Sequence, residues 1–513
     1  QVDQLAAGLV SLKLGFMSKI AIIASNTYEW AVVQFAAAKA GLVLVNINTA
    51  FQVPEMEYCL IRGDCVAVIF AENFVRQDYY SMLLQMAPEM TDAKPGELNS
   101  FRLPMLKHVI IIGDTAKPCT ITYNQLLNSV TPHHIKEMQS IASKIQFDHP
   151  INIQFTSGTT GKPKGALLSH FNVVNNGSMC GHELGFHEQK DIICLNVPLV
   201  HCFGCVIGTM AAVVFGATIV MPSPSFNAVA ALEAISSKKY VEREPHITCT
   251  IAPSTLEKHV SLTSEQQKSL ALGNAEEQRR IMAGAPCPPE ILKSAMVKLH
   301  IERMHIFYGA TECSPVITGS RPEDPIDKWI GTVGKPLGHV EVKIVNTEDM
   351  IVPLKSRGEL CARGYLVFLG YHNDNAKTKE VVKNGWYHTG DEAIMSEDGT
   401  ITITGRIRDM ICRGGENLYP LEIEDFLYHH PDIQEVQVVG VPDPRLGEEA
   451  CAWVKLKPGK TTTEKEIKEF CKGKISHFKI PKYFLFVDSF PKTMSGKIQK
   501  FKMAEESRKR LNL

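Results

Sequence analysis

Thr156, Ser157, Gly158, Thr159, Thr160, Gly161, Lys162, Pro163, Lys164 and Gly165 form one run of hydroxyls, glycines and two ammonium groups. Glycines let backbone N–H groups turn toward an anion, and hydroxyls and lysines add further donors. The run follows Ile151-Asn152-Ile153-Gln154-Phe155, an apolar stretch of strand character. A strand that ends in such a loop can grip a phosphate chain. It is not the common P-loop, because no Gly-x-x-x-x-Gly-Lys-Ser/Thr frame fits it.

Three further runs carry chemistry. Tyr308-Gly309-Ala310-Thr311-Glu312 follows the apolar Met304-His305-Ile306-Phe307. A strand ending in a glycine turn presents there an aromatic face for a base, a hydroxyl, and in Glu312 a hard oxygen ligand for Mg²⁺. Trp386-Tyr387-His388-Thr389-Gly390-Asp391 ends on an aspartate that can accept both hydroxyls of a ribose. Arg406 can pair with Asp391 or with a ribose hydroxyl. Near the end, Pro491-Lys492-Thr493-Met494-Ser495-Gly496-Lys497-Ile498 sets Lys497 behind a Ser-Gly turn, able to bring a point charge to a reacting phosphate. Taken singly, Tyr308 also suits a packed core, Glu312 a solvated carboxylate, Asp391 a plain turn and Lys497 a solvated lysine.

Such residues need a scaffold. Apolar strand-like runs at 19–24, 42–45, 66–70 and 109–112 alternate with helical patterns such as 28–40. This alternation predicts an α/β architecture with largely parallel sheets. Turn and charge signals change near Gly405-Arg406-Ile407-Arg408-Asp409. Beyond it, helices are expected over 422–429 and 464–472, and strands over 435–441 and 483–487. That is enough for a small α+β domain. The expected layout is a large multi-subdomain body over 1–405, a hinge at 406–408 and a mobile lid over 409–513. The polar stretch 236–280 reads as solvated loop and helix, with weak strand character at 247–251.

Composition narrows the function. The chain has 513 residues, 44% hydrophobic and 21% charged, with net charge −1. That length exceeds a single core, and no basic field exists to hold nucleic acid. No apolar run reaches the ~20 residues a membrane span needs. Fourteen cysteines lack metal-ligand spacing. Cys202-x-x-Cys205 has the frame but no second pair, and reads as structural thiols in a reducing compartment. Oligomeric state is not legible.

Taken in order, these runs resemble the acyl-adenylate-forming superfamily, which includes acyl-CoA synthetases, luciferases and peptide-synthetase adenylation domains. The resemblance covers nearly the whole chain. Within the superfamily the chain looks most like the medium-chain acyl-CoA ligases of mitochondria. Residues 148–155, 413–420 and 471–483 carry that likeness. By resemblance, residues 156–164 hold the ATP phosphates, and Gly284, Ala285 and Pro286, after Ala283, border the adenine. Tyr308 lies on the base, Thr311 and Glu312 lie near the α-phosphate and Mg²⁺, Asp391 and Arg406 contact the ribose, and Lys497 drives adenylation. His201 matches a position bordering the acyl site, although a packed core histidine is an equal reading of it alone.

The resemblance implies an AMP-forming fatty acid–CoA ligase working through acyl-AMP, with ATP, Mg²⁺ and coenzyme A, in the mitochondrial matrix. It also implies a pivot at Arg408 and CoA contacts from Arg413, Gly414 and Gly415. Two departures from the family are expected to matter. Ile251-Ala252-Pro253-Ser254 stands where Gly-x-Pro-Thr is usual, and the chain starts inside the family's first subdomain. An adenylating enzyme that loads a carrier protein, and a non-catalytic nucleotide-binding relic, are the alternatives. AMP formation separates the relic, and CoA dependence separates the carrier loader.

Overall fold

The computed structural model describes residues 1–72, 77–156, 163–187, 191–237, 246–251, 278–283, 293, 297, 303–321, 324–414, 416–493 and 497–513. Ser157 to Lys162, Gly284 to Pro286, Gly415, residues 494–496, Ala252 to Ser254 and most of 236–280 lie outside these.

Four sheets organise the chain. The first has eight strands, ordered Gly370–Tyr371, Lys164–Ser169, Pro150–Thr156, Val43–Asn46, Lys19–Ile23, Cys65–Ala71, His108–Ile112 and Thr120–Thr122. Its six central and far strands are parallel, and the two at the Lys164 edge are antiparallel. Buried runs such as Ile20, Ile22, Val45, Ile69 and Ile111 explain this, because helices cover both faces of a parallel sheet. The helix Tyr28–Lys39 is one cover. Thr27 caps it by accepting from Trp30 N, and Trp30, Val33, Ala36 and Ala37 are buried.

The second sheet has seven strands around parallel Asp191–Leu195, His246–Ile251, Gln278–Met282 and Arg303–Gly309. The expectation of parallel sheets therefore holds for the centres of these two. The third sheet is antiparallel: Val340–Val345, Arg357–Gly364, Trp386–Met395, Val382–Lys383 and Ile401–Arg406. Short connections link Val340–Val345 to Arg357–Gly364 and Trp386–Met395 to Ile401–Arg406, which suits antiparallel pairing, whereas the chain between Gly364 and Val382 passes through Gly370–Tyr371 of the first sheet and the helix Asn375–Val381.

The fourth sheet lies wholly beyond residue 410, with Gly447–Leu456 at its centre and Ile433–Asp443 at one edge. The helices Pro420–Leu427 and Glu464–Cys471 accompany it. Two apolar clusters, around Ile411, Val438 and Val454 and around Val441, Trp453 and Met503, contain no residue from the body. Among the described residues no helix is long and apolar enough to cross a membrane.

Candidate functional site

The strand Pro150–Thr156 pairs antiparallel with Lys164–Ser169, and Thr156 faces Lys164 in register. The loop between them is thus held at both ends by ladder hydrogen bonds. Thr156 and Pro163 are half-buried where they bracket it. Lys164 places its ammonium over the Tyr371 ring, 5.3 Å from the centroid, and burial pushes its pKa down.

Tyr371 joins this edge to the next element. Its hydroxyl donates to Glu312 Oε1 at 2.8 Å, and both side chains are buried. Glu312 sits in the short 3-10 turn Thr311–Cys313 that follows the strand Arg303–Gly309. A side chain at Gly309 would put its Cβ 1.9 Å from the Pro315 carbonyl oxygen, so only glycine fits that corner. Among the described residues no hydrogen bond is made to the second oxygen of Glu312. A buried carboxylate with one fixed oxygen and one free suits a hard divalent ion such as Mg²⁺.

Register explains the next pair. Asp391 lies directly opposite Arg406 on neighbouring antiparallel strands. Arg406 Nε stands 2.6 Å from Asp391 Oδ1, and the Tyr308 hydroxyl donates to Oδ2 at 2.6 Å. Gly390 takes a left-handed φ of 70°, which turns the strand just before the aspartate. Burial pushes the Asp391 carboxyl up, against the Arg406 guanidinium and the Tyr308 hydroxyl, which pull it down. Each oxygen has one protein donor and keeps a lone pair for another.

His201 lies on the segment after Asp191–Leu195, which polar residues of the first sheet and its helices anchor. Asn26 accepts from Leu199 N at 2.8 Å and donates to the Val197 carbonyl at 2.9 Å. Gln34 donates to the Cys205 carbonyl at 2.8 Å. Burial, with the Lys497 charge, pushes the His201 imidazole down to about 4, so it stays neutral at physiological pH. Cys202 Sγ stands 3.6 Å from Thr311 Oγ1, and burial holds its thiol up at about 11. Cys202 and Cys205 are free thiols, and Cys205 is buried against Gln154 at 3.1 Å.

Lys497 comes from the far end of the chain to this cluster. Although Lys497 as a whole is exposed, the protein crowded about its ammonium lowers the pKa, and Cys202, Arg406, Glu312 and Asp391 all act on it electrostatically. One region thus collects Thr311, Glu312, Asp391, Arg406, His201 and Lys497. The structure does not bring Arg413 or Gly414 into it. Arg413 pairs with Glu449 at 2.8 Å, beside a cleft that includes Arg445, Lys472, His477 and Lys482. Gly414 takes a left-handed φ of 57° and donates to the Leu446 carbonyl. Arg408 is exposed, 3.5 Å from its neighbour Asp409.

Sequence reading missed Tyr371, Cys202 and the pair Tyr419–Glu392. Tyr419 donates to Glu392 Oε1 at 2.7 Å, and the Arg357 guanidinium lies 4.3 Å from its ring centroid. The only local signal was position: Tyr371 ends a Gly-Tyr pair, and Glu392 adjoins Asp391.

Residues 1–372 match the model of the AMP-binding enzyme family, and residues 422–497 that of the AMP-binding enzyme C-terminal domain. The chain belongs to the AMP-binding enzyme family. It is 44% identical over its whole length to the human medium-chain acyl-CoA ligase ACSF2, mitochondrial, covering 83% of that protein. It is 42% identical over 99% of its length to the putative acyl-CoA synthetase YngI of Bacillus subtilis, covering 91% of it. Among solved structures, ATP-bound MatB from Rhodopseudomonas palustris aligns over 99% of this chain and 92% of its own, with TM-score 0.83 and 23% identity. That likeness establishes a shared fold.

Proposed function

We infer that this chain is an ATP-dependent acyl-CoA ligase that activates a fatty acid of medium chain length through acyl-AMP, giving acyl-CoA, AMP and pyrophosphate. The observation that carries the reading is the convergence of Lys497, from beyond the last strand of the C-terminal sheet, on Glu312, Asp391 and Arg406. The named acyl-CoA ligases among the relatives support the acid and thiol substrates.

The reaction brings two anions together, so charge neutralisation dominates it. Backbone amides and hydroxyls of residues 156–164 and the Lys164 ammonium take the phosphates. Tyr308 covers the base, which Gly284, Ala285 and Pro286 border. Asp391, held by Arg406 and Tyr308, accepts the ribose hydroxyls. Glu312, aimed by Tyr371, holds Mg²⁺ together with Thr311 nearby. When bound, that ion supplies charge neutralisation at the phosphates. Lys497 and the loop amides stabilise charge as the carboxylate attacks the α-phosphate and pyrophosphate leaves. Neutral His201 borders the acyl group without adding charge beside the attacking carboxylate.

Thioester formation then requires Lys497 to leave. We place a body at 1–405, a hinge at 406–408 pivoting on Arg408, and a lid over 409–513. Rotation admits the CoA thiol, with Arg413, Gly414 and Gly415 along the pantetheine. The mitochondrial relatives support a matrix location, although the bacterial relative is similarly close in sequence.

The test is AMP release from Mg-ATP and octanoate, with and without CoA. AMP release that needs both acid and CoA is the expected result. No AMP under any condition would refute the ligase reading. Acid-dependent AMP release indifferent to CoA would turn it toward a carrier-loading enzyme.

A further inference from the structure

The third sheet carries a second cluster, away from the cysteines singled out in the sequence. In register, Lys343 faces Cys361, and Cys361 faces His388. Asp349, in the turn after Val340–Val345, closes the group. One donor atom each from Asp349, Cys361 and His388 lies within 4.8 Å of the other two. Cys361 and His388 are buried, and the Asp349 side chain is 38% exposed, so the group opens to solvent on one side.

His388 is the telling residue. Its Nδ1 is 2.8 Å from Glu359 Oε2 and 3.4 Å from Cys361 Sγ, which must turn toward Nε2 to share an ion with it, while the other oxygen of Glu359 accepts from Gly390 N at 2.9 Å. Its Nε2 is buried with no hydrogen-bond partner, and Asp349 Oδ1 stands 3.9 Å from it. A buried ring nitrogen left unmatched costs free energy. A carboxylate on one imidazole nitrogen and an open second nitrogen is the arrangement that orients metal-bound histidines.

We propose that Cys361, His388 Nε2 and Asp349 form a binding site for a borderline-soft divalent cation, zinc by its donor set, with Glu359 orienting the histidine and solvent as the fourth ligand. Thiolate, imidazole and carboxylate together suit zinc better than Mg²⁺, which takes oxygen donors. Donors around tetrahedral zinc stand roughly 3.5 Å apart, so Asp349 must swing in by about an ångström. Lys343, 3.0 Å from Asp349, already places a cation there and must release it. Binding displaces the thiol proton to solvent. Through Glu359 and Gly390 the ion braces the turn that presents Asp391.

The test uses the full chain, freed of metal, with Co²⁺ as a spectroscopic probe and Zn²⁺ in thermal melts. One Co²⁺ per chain is expected, with tetrahedral d–d bands and a near-ultraviolet thiolate-to-metal band. Cys361→Ser should abolish that band, His388→Gln should weaken binding at least tenfold, and Zn²⁺ should raise Tm in the unaltered chain only. Should either variant fail to fold, partly exposed Asp349→Asn should still weaken binding several-fold. No thiolate band, or binding that survives these substitutions, would overturn the site.

Discussion

Asp391 shows how contacts within the fold can fix a side chain for the binding role proposed for it. Arg406 and Tyr308 each engage one of its oxygens, so its position is set before any nucleotide arrives. Asp391→Ala removes the acceptor and strands the Arg406 guanidinium. It should weaken ATP binding about tenfold or more, roughly 1.4 kcal/mol, by titration calorimetry. Unchanged affinity would refute its ribose role. Lys497 makes the complementary case. Lys497→Ala should nearly abolish acyl-AMP formation yet spare thioester formation from supplied acyl-AMP. Rapid-quench assays of each half-reaction decide it, and equal loss in both would sink the two-conformation account.

Elements matter where the two cores meet. Pro420–Leu427 belongs to the C-terminal cluster, yet Tyr419, which precedes it, is bonded to Glu392 and stacked under Arg357 of the third sheet. On the reading proposed above, this contact helps to hold the arrangement in which Lys497 reaches the phosphates. Removing its hydroxyl costs one hydrogen bond to a charged group, about 1.5–3 kcal/mol at most. Tyr419→Phe should therefore slow acyl-AMP formation several-fold while leaving thioester formation from acyl-AMP unchanged or faster. A variant that slows both half-reactions equally would rule out a latch.

For the whole molecule, two shifted groups set opposing pH dependences. Burial depresses the His201 pKa from 6.5 to about 4. The unfolded chain takes that proton first, so stability falls as pH drops from about 6.5 to about 4. Asp425 moves the other way: burial, with Glu424 beside it, raises it from 3.8 to about 6. The unfolded chain loses that proton first, so stability falls as pH rises from about 3.8 to about 6. Asp425→Asn should then stabilise at pH 7 by about 1–3 kcal/mol and raise Tm, with no gain at pH 4. An equal gain at both pH values would show that the carboxyl's charge is not the cause.

Much of this was legible from residues alone. Apolar runs at 19–24, 66–70 and 109–112 became strands because buried parallel strands need unbroken β-branched stretches. The helices expected at 422–429 and 464–472 formed within two residues of those bounds. Turn chemistry located the bends before Thr311 and Asp391, since glycine and hydroxyl requirements act over a few residues, while Ser157 to Lys162 of the proposed phosphate loop lie outside the described residues. Cross-strand register could not be read so locally. It sets Asp391 opposite Arg406, one of the two partners the sequence offered that arginine, and Cys361 opposite His388, a pair the sequence did not suggest, while packing alone brings Tyr371 to Glu312 and Cys202 to Thr311. Those contacts join segments 15 to 109 residues apart. Their partners are chosen by how whole layers pack, a property that no short stretch of the chain carries.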